Sequence, residues 1–127
     1  MVNEKSFLNQ LKKISNLNDG WLDGYGREIT QEAIQTTYKI ISSLTIKDLP
    51  YPLIFPAYDG GIMCEWFNES IAISLEIDAG GSEITLSVYS FIDKQDFNKT
   101  EQIDNADDIV KNLITHLNIL IKIIDTN

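Results

Sequence analysis

The stretch Ile71-Ala72-Ile73-Ser74-Leu75-Glu76-Ile77-Asp78 alternates apolar and polar side chains without a break. Glu83-Ile84-Thr85-Leu86-Ser87-Val88-Tyr89 does the same. Successive side chains of a strand point to opposite faces, so this period of two predicts sheet with one buried face. Ile62-Met63-Cys64-Glu65-Trp66 adds a third strand with Ile62, Cys64 and Trp66 on one side. Leu53-Ile54-Phe55-Pro56-Ala57 reads as a shorter strand, held to an edge because Pro52 and Pro56 have no N–H to donate to a ladder. Turn signals fall between the strands, at Asp59-Gly60-Gly61, Asn68-Glu69 and Asp78-Ala79-Gly80-Gly81.

The turns can be tested against one another by parity. A two-residue turn at Asn68-Glu69 pairs Trp66 with Ile71, Cys64 with Ile73 and Ile62 with Leu75, and every pair lands on the apolar face. The next hairpin keeps Ile84, Leu86 and Val88 on that face whether its turn is Ala79-Gly80 or Gly80-Gly81. The other face carries Met63, Phe67, Tyr89 and Phe91 among small and polar residues. A sheet face of that mixed kind is expected to be an interaction surface or to pack against a loop at 92–104.

Helices are expected on both sides of this block. Phe7, Leu8, Leu11 and Ile14 lie at helical spacing in residues 5–16, and Asn18-Asp19-Gly20 is expected to stop that helix with a left-handed glycine cap. Thr30 is the expected N-cap of a second helix, with Glu32 in its first turn and Ile34, Tyr38, Ile41 and Leu44 continuing to about Lys47. Prolines at 50, 52 and 56 end it. In the C-terminal segment Asn105 is the expected cap, and Ile109, Val110, Leu113, Leu117, Leu120, Ile121 and Ile124 form a wide apolar face. The expected fold is α+β: a four-stranded antiparallel meander with three helices, order ααββββα, helices mainly on one sheet face, in a single domain over 1–127. A chain of 127 residues with 43 % hydrophobic and 23 % charged residues can bury such a core.

Charge bounds the partners. Nineteen acidic residues against ten basic give a net charge of −9, so a nucleic-acid backbone is not the expected partner and a basic protein is. No apolar run reaches the roughly 18 residues of a membrane helix. The amphipathic start MVNEKSFLNQLKK resembles no secretion signal, so a cytoplasmic location is expected.

Most catalytic chemistries lack their parts. Cys64 is the lone cysteine and sits on the core parity of its strand, which predicts an inert buried thiol. His116, the one histidine, adjoins the apolar stripe of the last helix, and neither HExxH nor GxSxG is present. No metal site and no cofactor are expected. Glu65 and Glu76 share a face, but the predicted register puts Glu76 opposite Gly61, four residues from Glu65. At ~3.3 Å per residue that is about 13 Å, too far for a glycosidase pair.

The least ordinary segment is Asn18-Asp19-Gly20-Trp21-Leu22-Asp23-Gly24-Tyr25-Gly26-Arg27-Glu28. It follows no strand and lacks the lysine or third glycine of a phosphate cradle. Trp21 occupies a position where a calcium loop needs an oxygen ligand. What remains is a compact glycine-hinged corner, with Trp21 and Tyr25 expected to close one end of the core.

Gly20-Trp21-Leu22-Asp23-Gly24 with Gly26, then Pro52, Pro56, Asp59-Gly60-Gly61-Ile62 and Glu65-Trp66, then Leu75-Glu76-Ile77, resembles a group of small uncharacterised bacterial proteins. Their pattern reads GW(L)DGxG, a helix, PxxxPxx(D/E)GG(I/V)xxEW and an LEI strand, and the likeness spans roughly residues 17–78. Relatives often carry Pro-Ser before the helix where this chain has Glu28-Ile29-Thr30. The resemblance implies no enzyme activity. It implies that the Asp59-Gly60-Gly61 turn neighbours the Gly20–Gly26 loop, with Glu65 or Arg27 nearby, and it implies a link to toxin–antitoxin loci.

Two functions are therefore expected to compete. The first is a non-enzymatic, acidic protein-binding protein of the antitoxin, immunity or inhibitor kind. The second is a small-ligand module, with weak enzymatic chemistry at most, built where the WLDGYG loop meets the Asp59 turn. Trp21, Asp23, Tyr25, Arg27, Asp59 and Glu65 are the candidate ligand or partner residues.

Overall fold

The burial pattern of strands 62–67, 71–77 and 83–90 reproduces the alternation of the sequence, the inward positions from Ile62 to Val88 being buried and the intervening ones half-buried or exposed. The structure, a computed structural model, describes residues 2–126, except the side chains of 105 and 122–126. Helices α1 (Glu4–Ser15) and α2 (Gln31–Thr45) precede strands β1 (Leu53–Pro56), β2 (Ile62–Phe67), β3 (Ile71–Ile77), β4 (Glu83–Ser90) and β5 (Gln95–Gln102). A short 3-10 turn, Ile103–Asn105, then leads into α3 (Asp107–Thr126). The fold is α+β, with the strands in sequence order in one antiparallel sheet. All three helices lie on the same face, α1 over β1, α2 over β2 and β3, and α3 over β3 to β5.

The expected meander is thus five-stranded, not four. The extra strand, Gln95-Asp96-Phe97-Asn98-Lys99-Thr100-Glu101-Gln102, occupies most of the stretch read as a loop. It pairs along its whole length with β4, Phe97 opposite Val88 and Lys99 opposite Leu86. Its helix-side positions are Phe97, Lys99 and Glu101. Charged groups are accommodated there because Lys99 bridges Glu101 at 3.1 Å and Asp108 of α3 at 3.0 Å. Phe97 lies under the His116 ring, the centroids 5.7 Å apart.

The β2–β3 turn is displaced by one residue from the predicted place. Asn68 takes the first turn position, its side-chain oxygen accepting from the N–H groups of Ser70 and Ile71 at 2.8 and 2.9 Å, so Glu69-Ser70 form the tip. Asparagine favours that position because its side chain can replace a backbone acceptor. Register moves by two, which leaves the faces unchanged: Trp66 pairs with Ile73, Cys64 with Leu75 and Ile62 with Ile77. Glu76 therefore stands opposite Met63, two residues from Glu65, or about 7 Å along the strand rather than about 13 Å.

Capping and burial correct the helix readings in part. Asn3 caps α1 in a reciprocal box with Ser6, and α1 ends on Asn16 rather than on a glycine. Gly20, at φ +87°, belongs to the next turn instead. Leu8 falls outside the buried stripe of Phe7, Leu11 and Ile14. Thr30 caps α2 as expected, accepting from the Ala33 N–H at 3.0 Å. The face of α2 is rotated, however. Ala33, Thr37, Ile40, Ile41 and Leu44 are buried, while Tyr38 is 51 % exposed. Ile109, Leu113, Leu117 and Leu120 of α3 enter the core as predicted. Asn105 and Ile124, the expected cap and last apolar position, lie outside the described side chains. No helix among the described residues is long and apolar enough to cross a membrane.

The Lys99–Asp108 pair ties the last strand to the last helix and sets a pH dependence. Its hydrogen bond and charge hold the Asp108 carboxyl below its ordinary 3.8 and the Lys99 ammonium above its ordinary 10.5. The depressed carboxyl contributes stability above its unfolded value, lost as pH falls through the folded one; the raised ammonium contributes below its unfolded value, lost as pH rises. Asp108→Asn should therefore lower Tm between those limits and converge with the parent at strongly acidic pH. Thermal melts across pH measure this, and equal Tm values at neutral pH would show the pair to be inert.

Candidate functional site

Residues 20–26 form a miniature hairpin. Gly20 N–H donates to the Gly26 carbonyl at 2.7 Å, while Leu22 and Tyr25 exchange two bonds at 2.7 and 2.8 Å. Asp23 and Gly24 form the tip at φ +49° and +91°, the paired positive values of the tight turn that Asp-Gly favours. The Trp21 ring lies on Gly26, where an added Cβ would come within 2.7 Å of Cε2, and its indole N–H donates to the Arg27 carbonyl at 2.7 Å. Asp19 closes the base by accepting from the Glu28 N–H at 2.8 Å.

This hairpin stands away from the core. Trp21 is half-buried and Tyr25 is 77 % exposed, so the two rings do not close the interior. Ile29 enters the core in their place.

The hairpin is beside the β1–β2 turn. Arg27 N–H donates to the Tyr58 carbonyl at 2.7 Å and Thr30 N–H to the Gly60 carbonyl at 3.1 Å. Between them opens a cleft of about 690 Å³ at one end of the helix-free sheet face, lined by Trp21, Leu22, Tyr58, Asp59, Glu76 and Glu83 among others. The structure thus brings Trp21 and Asp59 to one cleft. Asp23, Tyr25 and Arg27 do not line it, and Glu65 lines a different one. Asp59 has a structural task, accepting from the Gly61 N–H at 3.1 Å, and Asp78 accepts from Ser82 and Glu83 N–H groups.

The second cleft, about 360 Å³, lies on the same face toward the other end. Its residues come from two adjoining cross-strand rows. One runs Leu53, Glu65, Ser74, Ser87, Asn98, and the next runs Phe67, Ala72, Tyr89, Asp96. Small residues at its centre, flanked by Phe67, Tyr89 and Phe91, make the hollow. Outward parity marked Phe67, Tyr89 and Phe91 in the sequence; Asp96 and Asn98 gave no such signal because β5 read as loop. A third row, Phe55, Met63, Glu76, Thr85, Thr100, completes the face toward the first cleft. Glu65 and Glu76 are thus diagonal neighbours that serve different clefts.

These rows contain no lysine or arginine. Glu65, Glu76, Glu83 and Asp96 share the face, and among the described residues every ion pair involves Lys99 on the opposite side. Cys64 is fully buried under the helices, and burial pushes its thiol pKa far up. His116 Nδ1–H donates to the Asn112 carbonyl at 2.7 Å, and its ring packs near Phe97. Neither lines the clefts. Among the described residues no group of three or more His, Cys, Asp or Glu is placed to hold a metal ion.

The two tryptophans should separate in mutagenesis. Trp66 is buried and donates to the Pro50 carbonyl at 2.9 Å, so Trp66→Ala should cost ~3–5 kcal/mol. Trp21→Ala, losing one hydrogen bond and partial burial, should cost about 1–2 kcal/mol. Urea denaturation of both variants checks the order, and an equal loss would place Trp21 in the core. No protein-family model matches the chain, and no curated protein and no solved structure matches it either.

Proposed function

We propose that this chain is a non-enzymatic binding protein that receives a basic protein on the helix-free face of its sheet. One observation carries the reading: that face combines exposed apolar and aromatic side chains with four carboxylates and no cation in its rows. Leu53, Phe55 and Phe67 are exposed on it, Phe67 to 59 %. Rings flanked by uncompensated acid suit a partner with aromatic or aliphatic anchors and Lys or Arg around them. The net charge of −9 would speed encounter with such a partner.

An antitoxin, immunity or inhibitor role belongs to this reading, since those tasks need a rigid complementary surface and no turnover. The resemblance to small bacterial proteins supports it in the same direction. Action in the reducing cytoplasm fits a chain whose lone cysteine is buried. A small-ligand module at the Trp21–Asp59 cleft is the second reading, favoured by the size of that hollow.

The test immobilises the parent and a Glu65→Lys/Glu76→Lys variant, each co-expressed with its neighbouring gene product in the native host. The parent should hold a basic protein in stoichiometric amount, release it as salt rises, and the variant should not hold it. Recovery of the chain alone in both cases would remove the protein-binding reading. Trp21→Ala then decides the second one, since a ligand cleft should lose its ligand while the fold persists.

A further inference from the structure

We infer that the cleft between Phe67 and Tyr89 is a receptor for one arginine side chain of the basic partner, an inference that rests on the helix-free face being the docking surface. Glu65 on β2 and Asp96 on β5 lie on adjoining rows, three strand spacings or about 14 Å apart across the sheet. Between them the floor is Ala72, Ser74 and Ser87, all short side chains, so the space above the strands is left empty to about 360 Å³.

The walls set the chemistry. Tyr89 and Phe91 meet edge to face, ring centroids 5.0 Å apart at 74°, and Phe67 faces them across the floor. Aromatic faces hold an aliphatic stem and attract a cation. Glu65 and Asp96 make no ion pair among the described residues, and no lysine or arginine lines the cleft. The hydroxyls of Ser74 and Ser87 and the amide of Asn98 add neutral acceptors in one row.

A cation is therefore wanted, and its shape is specified too. Guanidinium is flat, stacks on rings and carries five donors in a fixed plane, whereas ammonium is a compact, strongly hydrated point charge. A slot between rings, with a carboxylate at each side and several acceptors along the floor, matches the flat group. The partner's arginine would place its stem between Phe67 and Tyr89 and its head toward Glu65 or Asp96, with forked hydrogen bonds to the carboxylate.

The experiment is an amide-resolved NMR titration of the intact chain with N-acetyl-arginine amide, alongside its lysine and neutral citrulline counterparts. Arginine amide should give saturable shifts centred on residues 65–67, 72–74, 87–91 and 96–98, bind several-fold tighter than the lysine compound, and leave citrulline without effect. Glu65→Gln with Asp96→Asn should weaken it about tenfold without altering the rest of the spectrum, as expected when charge-assisted bonds are lost. Glu76→Gln with Glu83→Gln, toward the other cleft, should leave it unchanged. Absence of shifts, an equal response to citrulline, or shifts centred elsewhere overturns the arginine receptor. The docking reading fails separately, when arginine amide binds as described yet no basic protein is held. A basic protein whose retention depends on Glu76 and Glu83 but not on Glu65 and Asp96 would sink the cleft alone.

Discussion

Thr30 is held at three points, and the arrangement of both clefts follows from it. Its side chain accepts from the Ala33 N–H, its hydroxyl donates to the Ala79 carbonyl, and its own N–H donates to the Gly60 carbonyl. The start of α2 is thereby joined to the β1–β2 turn and to the β3–β4 turn at once. The approach is close. A Cβ at Gly81 would come within 2.5 Å of the Glu32 carbonyl oxygen, and Thr36 donates to the Gly81 carbonyl at 2.8 Å. A helix docked this tightly over one end of the sheet brings the preceding hairpin out beside the β1–β2 turn, where Trp21 and Leu22 wall the larger cleft.

The strand order then fixes which chemistry shares a surface. In a meander a cross-strand row takes one residue from each strand it crosses, so four or five separate stretches of sequence supply each row of the clefts. Apolar side chains under the helices form the core, and their alternation leaves an outer face that no helix covers. Its composition is set by what the strands can carry opposite isoleucine and leucine. Short residues on β3 and β4 leave a trough, and larger ones on β2 and at the end of β4 edge it. The hollow is formed by strand side chains alone, so under the proposed docking it would receive a partner without rearrangement.

Much of the fold was legible in the sequence because alternation and turn chemistry are local. Parity of the hairpins survived even a two-residue slip at Asn68, since such a slip returns each side chain to its own face. Strand β5 was illegible for a physical reason. Its inward positions are Phe97, Lys99 and Glu101, and the charged residues sit there because Lys99 bridges both Glu101 and Asp108 of α3. Leu8 and Tyr38 looked like core residues at helical spacing, but helix orientation is settled by packing against the sheet, which spacing alone does not encode. Of the candidate residues, Trp21 and Asp59 line one cleft, whereas Asp23 lies at the tip of the Asp-Gly turn and Tyr25 and Arg27 do not line that cleft. Glu65 was recognised without its setting, because Asp96 and Asn98 stand on the strand that escaped notice.

The acidic residues divide into those that bond within the fold and those that do not. Asp19, Asp59 and Asp78 accept backbone N–H bonds, and Asp108 and Glu101 answer Lys99, so each of these serves the fold. Glu65, Glu76 and Asp96 have no such bond among the described residues, and they share one face with exposed rings. Like charges gathered without counter-ions cost the free protein some self-repulsion, which at physiological salt extends over a screening length of about 8 Å. A counter-charge from outside relieves that repulsion at the moment the aromatic surface is covered. Under the proposed docking, the electrostatic and the apolar contributions favour the same event on the helix-free face.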